Sequence, residues 1–77
     1  MINKLEILKQ AASARIEEIA GYQINIDNYT LAIPLADADP ELKDFAEQLR
    51  GLLASEILEQ KKAQIILKVL QTQIGEN

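Results

Sequence analysis

Leu5, Ala12, Ile19, Ile26 and Ile33 recur every seven residues, and Leu8, Arg15, Tyr22 and Tyr29 form a companion row at the same interval. Two such rows lie along one seam of a long α-helix, and the register runs through Gly21 without a reset. The stretch from Tyr22 to Ile33 also obeys a period of two. Tyr22, Ile24 and Ile26, then Tyr29, Leu31 and Ile33, share one face of a β-hairpin turning at Asp27-Asn28, with Gly21 closing the helix before it. Against the hairpin, a lone two-stranded ribbon is marginal in water, and Asp27-Asn28 lacks the glycine that the tightest turns favour. Against the helix, Ile24 and Leu31 fall opposite the seam, and Asn25, Asp27, Asn28 and Thr30 have modest helix propensities. The helix predicts an all-α chain, and the hairpin at 22–33 predicts an α+β chain.

Pro34 is expected to end whatever precedes it, because proline has no amide hydrogen and biases the residue before it away from helix. Leu35 to Asp39 then reads as a short connection. Asp39-Pro40-Glu41 combines a capping aspartate, proline at the first helical position and an acid beside the positive end of the helix dipole. A second helix is predicted from Pro40 to about residue 74, with Gly75 as its stop. Its apolar stripe reads Leu42, Phe45, Leu49, Leu52, Leu53 and Ile57, crosses the polar patch 59–62, and resumes at Ala63, Ile66, Leu67, Leu70 and Ile74. Helices of equal length at 3–33 and 40–74 with a short link imply one antiparallel hairpin domain spanning 1–77.

Several large apolar residues have no place in such a hairpin. Ile24, Leu31, Leu58, Ile65 and Val69 lie off the stripes, which predicts an interface between copies and a homo-oligomeric helical bundle, a four-helix dimer being the simplest. Size points the same way. At 77 residues without cysteine or histidine, the chain has no disulfide or thiolate metal staple, and a monomer this small buries only about 60% of its unfolded surface.

The formal net charge of -4 argues against nucleic acid as a partner, since phosphate neutralisation needs clustered Lys and Arg. The doublet Lys61-Lys62 reads as a solvated helix face. No apolar run reaches the roughly 20 residues of a membrane span, and the N-terminal residues lack the pattern of a signal peptide, so a cytoplasmic location and no membrane partner are expected. Without histidine, cysteine, a phosphate-binding glycine loop or a serine in a nucleophile motif, no enzyme activity, cofactor or metal is expected. The acid pairs Glu17/Glu18 and Glu56/Glu59 lack the Glu-x-x-His spacing of di-metal bundles. Arg15, Tyr22 and Tyr29 form a candidate strip for a ligand or partner, joining a planar cation to two phenols able to grip an anionic or aromatic group. The plainer alternative packs both tyrosines across the hairpin and pairs Arg15 with an acid.

The run ARIEEIAGYQINIDNYTLAI, a short link, then FAEQLRGLLASEILEQKKAQIILKVL resembles the small helical accessory proteins of tailed phages and prophages. That resemblance implies a helical hairpin acting by binding, as an inhibitor or modulator of a host protein such as a defence system. It also implies two alternatives: a structural or assembly part of the virion, or an oligomeric sponge for a small ligand such as a nucleotide.

Overall fold

A computed structural model describes residues 3–76. Two long helices, α1 (Lys4–Asp37) and α2 (Lys43–Gly75), are joined through a 3-10 turn at Pro40–Leu42. They pack side by side as an antiparallel hairpin measuring 59 × 18 × 13 Å. No strand occurs among the described residues. The β-hairpin at 22–33 is therefore overturned, because the sevenfold seam gives that stretch a whole partner helix to bury against, which an isolated ribbon would lack.

The helix ends follow local chemistry. Asn3 starts α1 by accepting the Glu6 amide on its side-chain oxygen at 2.8 Å. Asp39 accepts the Glu41 amide at 3.0 Å, with Pro40 opening the next turn. Pro34, however, does not end α1, which continues to Asp37. A proline this close to the end costs one backbone bond, and the last turn is closed by the Ala38 amide on the Pro34 carbonyl at 3.2 Å. Tertiary contacts compensate: Ala36 is buried, and Asp37 pairs with Arg50 of α2. The link thus shrinks to Ala38 and Asp39, and the segment from Pro40 begins as a 3-10 turn before the α-helix proper.

On α1 the buried and half-buried positions are those of the sevenfold rows, from Leu5 and Leu8 to Ile33 and Ala36, together with Ala11, Glu18 and Ala32 beside them. On α2 the seam differs from the predicted stripe. It runs Ala46, Leu49, Leu53, Glu56, Gln60, Ala63, Leu67, Leu70 and Ile74, while Phe45, Leu52, Ile57 and Ile66 are exposed. Ala46, only 1% exposed, joins Ala36 and Leu49 in a core on which Tyr29, Ala32 and Ile33 pack. Small side chains hold the centre line because they let the two backbones approach, and a large side chain there would force the helices apart.

The middle of the seam is polar. The Gln60 side-chain amide donates to the Ile19 carbonyl at 3.3 Å and to Gln23 at 2.9 Å, and Asn25 donates to Glu56 at 3.3 Å. These bonds join the helices at one level, so they set the register that the apolar layers on either side share.

Candidate interaction surface

The molecule exposes more large apolar side chains than it hides. Among the described residues, thirteen large hydrophobics are exposed, whereas the buried core consists of two leucines and four alanines. Its accessible surface is 5712 Å², against about 4,700 Å² for a compact monomer of its mass. The radius of gyration is 17.5 Å, where a compact domain of this length has about 11.5 Å. An elongated two-helix sheet of side chains has no third layer to cover it.

Seven-residue rows beside the seam show how this surface is arranged. One flank joins the α1 row Lys9, Ile16, Gln23, Thr30 and Asp37 to the α2 row Arg50, Ile57, Gln64 and Gln71, bridged by the Arg50–Asp37 ion pair. Glu47, also paired with Arg50 at 2.9 Å, stands on its outer border with Lys61 and Lys68. Charge and amide groups dominate there. The Arg50 guanidinium is held above its ordinary value, first by its hydrogen bond to Asp37 and then by the charges of Asp37 and Glu47.

The opposite flank joins Ala11, Glu18, Asn25 and Ala32 of α1 to Phe45, Leu52, Glu59 and Ile66 of α2. The Asn25–Glu56 bond and the position of Tyr22 between Glu18 and Glu59 place these rows on one side. Beyond them run Ile7, Ala14, Gly21, Asn28 and Leu35 on α1 and Gln48, Ser55, Lys62 and Val69 on α2. This flank is apolar toward both ends, where Ile7, Ala14, Ile66 and Val69 and then Ala32, Leu35, Phe45 and Leu52 lie, and polar across its middle.

The sequence-predicted residues distribute over both kinds of environment. Arg15 and Tyr22 stand beside one carboxylate: Arg15 donates to Glu18 at 2.6 Å, and Glu18 also acts on the Tyr22 hydroxyl. The Tyr22 hydroxyl is pushed above its usual value, chiefly by desolvation and then by Glu18, Glu59 and Glu56. Tyr29 stands apart from them, packed on the Ala36–Ala46–Leu49 core. Of the candidate interface residues, Ile24 and Leu31 lie on the back of α1, and Leu58 and Ile65 lie on the back of α2, all more than half exposed. Val69 sits closer to the apolar flank. Leu42, Phe45, Leu52, Ile57 and Ile66 are the surface residues that sequence reasoning assigned to the core, and only the alanines of the true seam, Ala46 and Ala63, signalled otherwise.

Among the described residues no cavity is found, and no group of three or more metal-capable side chains occurs. No described helix is long and apolar enough to cross a membrane. Compared with known protein families, curated proteins and solved structures, the chain matches none.

Proposed function

We propose that the protein is a non-enzymatic binding module that works by docking its exposed helix faces onto other helices, those of its own copies and those of a host protein it inhibits or modulates. The observation that carries this reading is the inverted apolar distribution, with thirteen large exposed hydrophobics among the described residues around a core of two leucines and four alanines. Large apolar side chains exposed in that number, grouped along the helix backs and the Phe45 flank, serve association, and an amphipathic helix face is a recurring mode of protein recognition. The resemblance to phage accessory proteins supplies the class of partner, a host protein such as a defence component.

Affinity capture from host lysate tests the partner half of this reading. The unmodified protein should retain one stoichiometric partner, and Leu31→Glu or Leu58→Glu on the outer backs should release it with helix content unchanged by circular dichroism. If neither variant changes what is captured, or nothing stoichiometric is captured, partner binding by these faces is wrong.

A further inference from the structure

We infer that the Phe45 flank is the surface on which a second copy of this chain docks, with α1 of each copy lying on α2 of the other and both interhelical turns at the same end. This rests on the self-association proposed above and names its surface and geometry.

Area comes first. A face of 59 × 18 Å projects to about 1,000 Å², more than the roughly 800 Å² per partner of a standard stable interface. It is also close to the excess accessible surface of the lone hairpin.

Shape selects the flank. A two-fold dimer uses the same patch twice, so that patch must complement itself. Here α2 carries a ridge of large residues, Phe45, Leu52 and Ile66, broken at Glu59, while α1 beside it carries small ones, Ala11, Ala14, Gly21 and Ala32, broken at Glu18, Asn25 and Asn28. A side chain at Gly21 would meet nothing within 4 Å in the lone hairpin, so the furrow is open at that point. Laying the ridge of each copy in the furrow of the other fills both at once. The charged flank offers no such relief, and the apolar backs face away from each other across the molecule. Contacts through both backs would build open arrays in place of a closed pair.

Charge selects the direction. With the two-fold axis along the hairpin, each α1 residue meets the second copy's α2 at the level it already meets its own. Asn25 stands level with Glu56 and Gln23 with Gln60. The same register sets Ala32 of one copy between Phe45 and Leu52 of the other, Ala14 near Ile66, and Glu18 near Lys62. The existing Arg15–Glu18 and Lys62–Glu59 pairs then merge into one alternating network across the middle of the interface. Turning one copy end for end would stack large row on large row and leave the two furrows facing each other.

The chain contains no cysteine, so single cysteines report the geometry cleanly. Ala14→Cys and Ile66→Cys variants, mixed in equal amounts and oxidised, should give the mixed disulfide as the dominant product. A mixed disulfide no more abundant than the two single-site products together overturns the docking direction. Solution mass should read dimer for the unmodified chain and for Leu31→Glu, and fall toward monomer for Leu52→Glu, with all three helical by circular dichroism. A Leu52→Glu variant that stays dimeric overturns the surface but leaves self-association standing. A helical monomer of the unmodified chain overturns both, and partner capture is then judged by its own assay.

Discussion

Ala46 is the most enclosed side chain of the hairpin core, although alanine contributes little apolar area. Its value is steric, because it meets Ala36 and Leu49 where the two helices come together near the turn. Ala46→Leu should destabilise the fold by about 1–3 kcal/mol through overpacking, read as a lowered urea midpoint. Tyr22 makes a different residue-scale prediction. Its hydroxyl titrates higher in the folded protein than in the unfolded chain, so its neutral form is favoured by folding. That contribution is fully present below the unfolded value near pH 10 and is lost as pH rises through the folded value. The thermal midpoint should therefore fall above about pH 10, and Tyr22→Phe should flatten that fall. An unchanged alkaline slope in the variant would assign the effect elsewhere.

Each helix is continuous through residues that discourage helix. In α1, Asn25, Asp27, Asn28 and Thr30 all hold helical conformation, and Pro34 sits inside the last turn, since burial along the seam outweighs propensities of a few tenths of a kcal/mol per residue. The seam of α1 was legible because its sevenfold rows contain large residues at most positions. The seam of α2 was not, because Phe45, Leu52 and Ile66 outweigh Ala46 and Ala63 in any count of hydrophobicity, and two seam positions are Glu56 and Gln60. Gln60 joins both helices through Ile19 and Gln23, which makes it a register pin. A polar residue in a helical seam specifies alignment at a cost in stability. Gln60→Leu should accordingly raise the thermal midpoint while broadening amide resonances, as more than one register becomes populated. A single sharp set of resonances in that variant would remove the pin.

At the scale of the whole molecule, a rod with two layers of side chains has a solvent-facing side on nearly every residue. Far-ultraviolet circular dichroism should report a helix content above about two thirds, well beyond the roughly one third of ordinary globular domains. Ile26→Asp or Leu67→Asp should abolish that signal by placing an unpaired charge in the seam, and retention of full helicity in both would disprove the seam. The Arg15, Tyr22 and Tyr29 strip reads differently at this scale as well. Two of its members share Glu18 and the third anchors the core near the turn, an arrangement that orders the hairpin.

Periodicity and punctuation determined by themselves the helices at both ends of the chain and the break at Asp39-Pro40, because those properties act within one helix and need no knowledge of its neighbour, whereas the two periods open at 22–33 were decided by burial against α2. Which side of α2 turns inward, how far α1 runs past Pro34, and which flank is left apolar were decided only in the tertiary structure. Those depend on how closely two backbones approach, and that separation is set by both helices together, through alanines whose small size carries little weight in either sequence read alone.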